Sequence, residues 1–450
     1  MVYFTKMNKN NSKSSKNKRK KNLKNWYGFC LLYTMKIKQL GGKKLELLKW
    51  VHNKKSRNIE YKKSELSGFS SEEMKEVYEF HKSLPDYQAT PLVDLKSLAS
   101  YYGVKKVWLK DESKRFGLNA FKVLGGSYAI GKYLSKKLNR DMKELPFNVL
   151  ISDEVKKQLG DVTFVTATDG NHGRGVAWMA ARLRQKSVVY MPKGSAQMRF
   201  DAIAREGADV TITDLNYDDA VRLANKGAQD HGWIMVQDTA WDGYEEIPLW
   251  IMQGYSTIIN EVVEQLEAAK EEKPTHVFLQ AGVGSFAGAV QGYLAHLYGD
   301  DRPVTIICEP HGANCIYKSM EANDGNPHNV SGDLTTIMAG LACGEPNTIS
   351  WKILRDNADF SVSCDDQVAA RGMRVLSSPL GNDTRVISGE SGAVGLGLFT
   401  ILSEKKEEYK ELMNELKIDE NSRILCISTE GDTDVEGYKN VVWNGAYPNK

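Results

Sequence analysis

One lysine in a short polar segment is the first candidate for chemistry in this chain of 450 residues. Lys122 ends the string NAFK at 119–122, and Gly125 and Gly126 follow it in the first turns of a predicted helix. A helix N-terminus favours anions, so a lysine there is electrostatically misplaced. In a cleft it would be covalently capped or would have a depressed pKa, and Schiff-base chemistry requires such a lysine. The segment alone does not separate Lys122 from the many solvated lysines.

A polar, glycine-rich turn follows a β-branched run and precedes a segment with helical spacing. Its string is TDGNHGRG at residues 168–175. Glycines in such a turn allow backbone N–H groups to face an anion at the helix N-terminus. An ordinary strand-to-helix turn with Asp169 as the helix cap explains one Asp and one Gly. It does not explain Asn171 and His172 together between glycines, so we predict a binding role for this turn.

Two further loops follow predicted strands. The string QAGVGSFAG at 280–288 opens a helix, which is the setting that a phosphate-binding loop needs. Its GxGxxxG form differs from the dinucleotide pattern GxGxxG and suits a single phosphate better than a pyrophosphate. The string STEGDTD at 428–434 offers a short hydroxyl that could contact a heterocyclic ring nitrogen, although a loop of caps and turns is equally consistent with it.

The sequence gives little support for a metal site, a cysteine framework or a serine nucleophile. The histidines have no ligand-spaced partners and no HExxH string occurs, so we predict no metal site. The six cysteines form no CxxC pair, which argues against a zinc ribbon or a disulfide framework and suits the reducing cytoplasm. The string GESGAVG at 389–395 resembles a nucleophile elbow only loosely and lacks its spacing.

Strand-like and helix-like segments alternate from about residue 75 to the end of the chain. Runs such as VTFVTAT (162–168), SVVYMP (187–192) and RILCIST (423–429) are predicted strands, with helices of ten or more residues between several of them. This alternation is typical of βαβ units and parallel sheets. The strands are too many for one sheet, so we expect two α/β domains with the active site between them, at the carboxyl ends of the strands.

The first part of the chain has a different composition. Residues 1–63 carry 19 Lys and Arg against two acids, Glu46 and Glu60, whereas the rest of the chain is acidic. We expect residues 1–60 to be a disordered basic extension, because such a block repels itself and has few apolar residues. Contact of this extension with nucleic acid or an anionic surface is the lesser alternative. No apolar run reaches 18 residues, so no membrane span is predicted.

Taken together, these strings resemble fold-type II pyridoxal phosphate enzymes, the group of tryptophan synthase β, cysteine synthase and threonine dehydratase. The resemblance spans about 75–445, nearly the whole acidic part of the chain. Within the group the strings are most similar to the diaminopropionate ammonia-lyases. Other fold-type II enzymes have a serine or threonine at the position of Asp169, so this aspartate distinguishes the diaminopropionate ammonia-lyases from the rest of the group. The strings are KDESKRFGLNAFKVLGGSYA (110–129), TATDGNHGRGVAW (166–178), LQAGVGSFAG (279–288), ISGESGAVGLG (387–397) and STEGDTD (428–434).

The resemblance implies an architecture. It predicts the α/β class with two three-layer α/β/α domains and mainly parallel sheets. The large domain would comprise residues 75–125 and 255–450, and the small domain residues 126–254. It also implies a homodimer.

The resemblance further implies roles for individual residues. Lys122 would carry pyridoxal 5'-phosphate as a Schiff base, and Asn171 would bind the phenolic oxygen of the cofactor. The residues expected to hold the phosphate, largely through backbone N–H groups, are Gly282, Val283, Gly284 and Ser285. Thr429, with Ser428 beside it, would face the pyridine nitrogen. Asp169 and Asp238 would be the catalytic carboxylates around the substrate.

The implied activity is α,β-elimination of 2,3-diaminopropionate, as the D-isomer, the L-isomer or both, to pyruvate and ammonia in the cytoplasm. The nearest alternative is another reaction of the same group, such as dehydration of serine or threonine, or β-replacement. An alternative from a different class is a catalytically silent binding protein that is anchored by its basic extension.

Overall fold

The computed structural model describes residues 46–58, 66 and 68–448. The basic segment 1–45 therefore lies outside the described residues. The eleven strands of the described part are β1 (Leu48–His52), β2 (Leu92–Asp94), β3 (Lys106–Asp111), β4 (Thr163–Ala167), β5 (Lys186–Met191), β6 (Asp209–Ile212), β7 (Ile234–Met235), β8 (His276–Gln280), β9 (Val304–Pro310), β10 (Phe360–Cys364) and β11 (Arg423–Ser428).

Seventeen α-helices occur in the same residues, and none of them is long and apolar enough to cross a membrane. They are α1 (Ser71–Ser83), α2 (Lys96–Tyr102), α3 (Val123–Leu138), α4 (Phe147–Leu150), α5 (Asp153–Leu159), α6 (Asn171–Arg182), α7 (Gln197–Ala204), α8 (Tyr217–His231), α9 (Glu246–Tyr255), α10 (Thr257–Ala269), α11 (Ser285–Tyr298), α12 (Cys315–Ala322), α13 (Thr348–Asn357), α14 (Asp366–Ser377), α15 (Glu390–Glu404), α16 (Lys410–Leu416) and α17 (Val435–Val442).

The strands form two separate sheets. Seven of them form a sheet with the order β1-β10-β9-β8-β11-β3-β2, in which only the outermost pairs, β1 with β10 and β2 with β3, are antiparallel. The central strands are buried on both faces; every residue of β8 and of β10 is buried, for example. Strands that are buried on both faces need helices on both sides of the sheet, which the intervening helices supply.

The smaller sheet has the order β6-β5-β4-β7 and is entirely parallel. Its strands all lie between residues 163 and 235, whereas the strands of the larger sheet come from both sides of that interval. The predicted α/β class with mainly parallel sheets is confirmed. The domain boundaries at residues 125 and 254 stay a prediction.

One part of the sequence prediction is wrong. Residues 48–58 were assigned to the disordered extension because of their charge. They form β1 and a short 3-10 helix, Lys54–Arg57. β1 pairs along its whole length with β10, and Arg57 Nε donates to Asp359 Oδ1 at 2.7 Å. The average composition of 63 residues conceals this segment, in which Leu48 is buried and Arg57 is paired with Asp359.

Three strand-to-helix connections carry the chemistry-bearing strings. The turn between β4 and α6 contains the glycine-rich turn, the loop between β8 and α11 contains the GVGS string, and the loop after β11 contains STEGDTD. Each of these strands is parallel to its neighbours in its sheet, and the loops leave from the carboxyl ends. In open α/β sheets, this edge is where ligands bind.

A buried cluster of ion pairs joins β3 to α10 beside this edge. Lys110 Nζ donates to Glu261 Oε2 at 2.6 Å, and Arg115 Nη1 donates to Glu261 Oε1 at 2.6 Å. Arg115 also donates through Nε to Glu112, at 2.9 Å. Burial alone would raise the pKa of Glu261, but Arg115 and Lys110 outweigh it and hold that pKa at about 2. The carboxylate is therefore ionised at neutral pH and holds two cations in place.

Substitution of Glu261 by alanine should destabilise the protein strongly, because it leaves buried Lys110 without its carboxylate. Removal of one partner of a buried ion pair costs about 3–5 kcal/mol. Urea unfolding followed by circular dichroism would measure the loss. The matched control is Asp230→Ala, which removes the partner of Lys226 in an exposed ion pair and should leave the unfolding midpoint nearly unchanged. Equal shifts for both variants would contradict this account of the cluster.

Candidate active site

A cavity of about 870 Å³ lies at the carboxyl ends of the strands. Loops that follow strands of both sheets line it. The structure thus brings together, from five separate segments of the chain, every residue proposed for the site from the sequence except Ser428. The cavity-lining residues from that set are Lys122, Asp169, Asn171, Asp238, Gly282, Val283, Gly284, Ser285 and Thr429.

Lys122 lies at the start of α3 but not within it. The helix begins at Val123, and Lys122 is the residue immediately before it. Its ammonium group donates a hydrogen bond to a carboxylate oxygen of Asp238. Burial alone would lower the pKa of Lys122, but the charge of Asp238 outweighs that effect and raises it. The sequence predicts a lysine that is covalently capped or has a depressed pKa; as a free amine Lys122 has the raised pKa instead, because Asp238 is its partner.

Asp238 is buried, with 4% of its side chain exposed, and has several polar neighbours. Tyr217 Oη donates to Asp238 Oδ1 at 3.3 Å, and Nδ1 of His172 lies 3.9 Å from Oδ2. Burial opposes ionisation, but His172 and Lys122 outweigh it and hold the pKa of Asp238 at about 2. His172 Nε2 donates to the carbonyl of Val236 at 2.7 Å, and burial lowers the pKa of the ring.

The loop between β8 and α11 has the features of an anion site. Within the described residues, the backbone N–H groups of 282–285 donate no hydrogen bond to another backbone group. Gly284 has φ of +96°, and a Cβ at that position would lie 2.8 Å from Ser350 Oγ. A Cβ on Gly282 would lie 3.1 Å from Leu341 Cα. Free N–H groups at a helix N-terminus that lines a cavity are the donors that a phosphate group needs.

Ser285 connects this loop to the lysine's partner. Its hydroxyl donates to the backbone carbonyl of Asp238 and accepts from Asn347 Nδ2, which is 2.9 Å away. The Ser285 side chain is thus already engaged on both sides, so its contribution to anion binding would come from the backbone. This contact ties the anion loop to the segment that carries Asp238.

Thr429 follows β11 and has a neighbour that orients its hydroxyl. Gln280 Nε2 donates to Thr429 Oγ1 at 2.8 Å and to the carbonyl of Ile427 at 2.9 Å. Because the hydroxyl accepts from Gln280, its own hydrogen is available to a group in the cavity. Ser428, the neighbour considered with Thr429, is buried; its hydroxyl donates to Ser388 Oγ at 2.7 Å, and it does not line the cavity.

Asp169 and Asn171 project from the glycine-rich turn and have different partners. Arg199 Nη1 donates to Asp169 Oδ2 at 3.0 Å, and Asn171 Nδ2 donates to Glu430 Oε2 at 2.5 Å. The cavity also contains Glu390; burial, together with nearby Glu430, raises the pKa of Glu390 to about 7. The glycine-rich turn is therefore held at Asp169 by the cation of Arg199 and at Asn171 by the carboxylate of Glu430.

Among the polar cavity residues that were not predicted from the sequence, four contact a residue that was. They are Arg199, Tyr217, Gln280 and Glu430. Gln280 and Glu430 lie inside two of the strings that were identified in the sequence, and this position is the only feature that could have indicated a role in the site. Arg199 and Tyr217 start or nearly start helices without any local motif. In the described residues, no group of three or more His, Cys, Asp or Glu could hold a metal ion.

Comparison with known proteins agrees with this geometry. The model of the family described as pyridoxal-phosphate dependent enzyme matches residues 84–429. Diaminopropionate ammonia-lyase of Salmonella typhimurium is 56% identical over 371 residues, which are 82% of this chain and 92% of that protein. The chain belongs to the diaminopropionate ammonia-lyase family. The predicted resemblance to this family, and to the pyridoxal phosphate enzymes that contain it, is confirmed.

Two solved structures of diaminopropionate ammonia-lyase from Escherichia coli are similar to this chain. One is a complex with an aminoacrylate-PLP azomethine reaction intermediate; its TM-score is 0.80 at 49% identity, with 89% of this chain and 98% of that chain covered. The other is a complex with D-serine; its TM-score is 0.81 at 50% identity, with the same coverage of both chains.

The cavity of this diaminopropionate ammonia-lyase family member fits pyridoxal phosphate. A lysine amine lines the cavity, and free backbone N–H groups at the N-terminus of α11 match a phosphate. The Thr429 hydroxyl has a hydrogen to donate to a ring nitrogen. A Cβ at Gly284 would crowd Ser350, and one at Gly282 would be tight against Leu341, so glycine at both positions favours a bare loop backbone toward the cavity. These features meet the needs of three different parts of one cofactor.

Substitution of Lys122 by alanine should abolish the visible absorbance band of the Schiff base. Borohydride, which reduces a Schiff base to a stable amine, should no longer attach the cofactor to the chain. Absorbance spectra and peptide mass spectrometry after reduction would measure both effects. The matched control is Lys193→Ala, since Lys193 lines the same cavity but is exposed. Retention of borohydride-dependent labelling without Lys122 would show that another lysine carries the cofactor.

Proposed function

We propose that this chain catalyses α,β-elimination of 2,3-diaminopropionate, consuming one water and yielding pyruvate and two ammonia. The observation that carries the proposal is that Asp169 and Asp238 line the same cavity as Lys122. A substrate that carries a β-ammonium suits a site in which one carboxylate can pair with that charge while the other serves as a base. Family membership and the E. coli structure with an aminoacrylate intermediate support the same reaction.

Bound pyridoxal phosphate supplies an electron sink for the electron pair left at the substrate Cα. In this site Lys122 would hold its aldehyde carbon, and the N–H groups of 282–285 would hold its phosphate. Asn171 would donate to its phenolic oxygen. Thr429 would donate to its ring nitrogen and, as a neutral hydroxyl, would leave that nitrogen unprotonated, which favours elimination.

The proton at Cα would be removed by different residues for the two isomers. The Cα proton of the L-isomer and that of the D-isomer point to opposite faces. Lys122, released when the substrate amine takes its place, is the base that we assign to the L-isomer. Asp169 is the carboxylate that we assign to the D-isomer. Two bases account for an acid at a position where other fold-type II enzymes have a serine or threonine.

Asp238 would bind the leaving group. The β-amino group departs as ammonia, and a cationic β-ammonium needs a carboxylate near it until the carbon–nitrogen bond breaks. Asp238 is ionised at neutral pH because its pKa is held at about 2, and it is buried beside Lys122. Because the β-carbon is common to both isomers, this role should not depend on the configuration at Cα.

The nearest alternative activities are dehydration of serine or threonine, and β-replacement. The D-serine complex of the E. coli enzyme shows that its site accepts a hydroxy amino acid. Asp238 favours the diamine, because a hydroxyl leaving group needs no carboxylate partner for a positive charge. A catalytically silent protein is disfavoured by the presence of both Lys122 and the anion loop.

We further propose that the protein works as a homodimer in the cytoplasm. The family resemblance supports the dimer. The five cysteines of the described residues are free and buried, which suits a reducing compartment. Sedimentation of the purified holoenzyme would test the dimer. A gel shift with and without residues 1–45 would test whether the basic segment binds nucleic acid.

The substrate proposal predicts that the holoenzyme releases pyruvate from diaminopropionate far faster than from serine. Asp169→Asn should lower kcat/KM for the D-isomer by about 100-fold or more, which is typical of a lost general base, and should change the L-isomer little. A coupled lactate dehydrogenase assay measures pyruvate from both isomers and serine; released 2-oxobutanoate from threonine can be assayed as its hydrazone.

The L-isomer serves as the internal control for folding and for cofactor content. Equal losses on the two isomers would refute the assignment of two bases but leave the substrate unchanged. Faster turnover of serine or threonine than of either diaminopropionate isomer would refute the proposed substrate itself.

A further inference from the structure

Arg199 is a buried cation in the cavity to which the reaction assigns no role. It lies near the start of α7, and only 6% of its side chain is exposed. Burial alone would lower the pKa of Arg199, but Glu430 and Asp169 outweigh it and raise that pKa. Arg199 Nε has no hydrogen-bond partner in the structure, so the contacts of its two Nη groups must offset most of the lost hydration.

The partners of Arg199 come from two other segments of the chain. Nη1 donates to Asp169 Oδ2 at 3.0 Å, and Nη2 donates to Thr433 Oγ1 at 3.2 Å. Thr433 Oγ1 in turn donates to Glu430 Oε2 at 3.3 Å, the oxygen that also accepts from Asn171. A continuous series of hydrogen bonds therefore connects Asp169 to Arg199, Arg199 to the loop after β11, and that loop to Asn171.

The residue between Asp169 and Asn171 packs on the same arginine. Gly170 has φ of +153°, and a Cβ there would lie 2.9 Å from Arg199 Cδ. A side chain at position 170 would therefore clash with the aliphatic part of Arg199, and glycine allows the turn to pack against it. This contact and the two hydrogen bonds leave the guanidinium little freedom to turn toward another partner.

We propose that Arg199 is a positioning residue that orients the Asp169 carboxylate for removal of the Cα proton of D-diaminopropionate. The inference rests on the proposed function and deepens it, because it assigns isomer specificity to a pair of residues. Arg199 acts through Asp169 and serves the D-isomer, whereas Lys122 serves the L-isomer without it. The competing role is direct binding of the substrate carboxylate, which would affect both isomers alike.

The physical reason is that proton transfer depends steeply on geometry. A misplacement of about 1 Å can cost about 100-fold in rate. A carboxylate that loses a charge-assisted hydrogen bond is free to rotate toward other donors. Arg199→Met should therefore lower kcat for the D-isomer by about 10–100-fold, with KM for both isomers and kcat for the L-isomer changed less than about threefold.

The decisive experiment is a double-mutant cycle on the holoenzyme. The wild type, Arg199→Met, Asp169→Asn and the double variant are assayed for pyruvate release from each isomer, with the visible cofactor band recorded for each protein. If Arg199 acts only through Asp169, the double variant is no slower on the D-isomer than Asp169→Asn alone. Arg199→Lys, which keeps the charge but not the two-pronged geometry, should recover part of the loss.

The matched control is Arg205→Met. Arg205 follows the same helix but is exposed, and it donates only to the backbone carbonyl of Asp201. This variant should behave as the wild type does on both isomers. If Arg199→Met does not fold and therefore lacks the cofactor band, Arg199→Lys is used for the test alone. Equal losses of activity on both isomers in Arg199→Lys would then overturn the inference.

Other outcomes separate the inference from the proposed function. A rise in KM for both isomers with Arg199→Met would assign Arg199 to the substrate carboxylate and overturn the positioning role. Additive losses in the double variant would overturn it as well. If Asp169→Asn is selective for the D-isomer and Arg199→Met is not, only the inference fails. If Asp169→Asn is not selective, or the wild type does not turn over the D-isomer, both the base assignment and the inference fail.

Discussion

The ion pair between Lys122 and Asp238 is the constraint on which the rest of the site depends. Each of the two charges is largely removed from water, and such charges are tolerated only with a close partner and further hydrogen bonds. Asp238 satisfies this through Lys122, Tyr217 and Gln237. Its backbone carbonyl also accepts from Ser285 of the anion loop. Displacement of Asp238 would therefore disturb the lysine and the anion loop together.

Cofactor chemistry makes use of the same pair. A lysine whose pKa is raised by a neighbouring carboxylate is fully protonated in the absence of cofactor. When the Lys122 nitrogen becomes part of a Schiff base, Asp238 keeps a positive partner in one of two ways. Either the Schiff-base nitrogen is protonated, or the β-ammonium of a substrate lies beside the carboxylate. A single buried carboxylate could in this way pair first with the enzyme and then with the substrate. The proposed preference for a diamine follows from this exchange.

Much of the site could be predicted from the sequence because its parts are local. The strands β4, β5 and β11 and the turns that follow β4 and β11 have clear patterns over five to ten residues. The missing parts are pairs that are distant along the chain. Lys122 and Asp238 lie 116 residues apart, and no local pattern indicates that they pair. The same holds for Arg199 and Thr433, which lie 234 residues apart.

The clearest error in the predicted fold arises because the charge of the first 63 residues was considered as a whole. β1 was assigned to a disordered extension because its neighbours are basic, yet it completes the edge of the seven-stranded sheet. Its pairing with β10 depends on a strand more than 300 residues away along the chain, and no local pattern in a five-residue strand could reveal it. Long-range pairing therefore limited the prediction of both the fold and the site.

The most direct test of the central claim is the activity of Asp238→Asn on the two isomers of diaminopropionate. If Asp238 first pairs with Lys122 and then with the β-ammonium, kcat/KM should fall by a similar factor for the D-isomer and the L-isomer, because both have the same leaving group. Pyruvate release from each isomer by the reconstituted holoenzyme provides the measurement. Unchanged activity, or a loss confined to one isomer, would contradict the account.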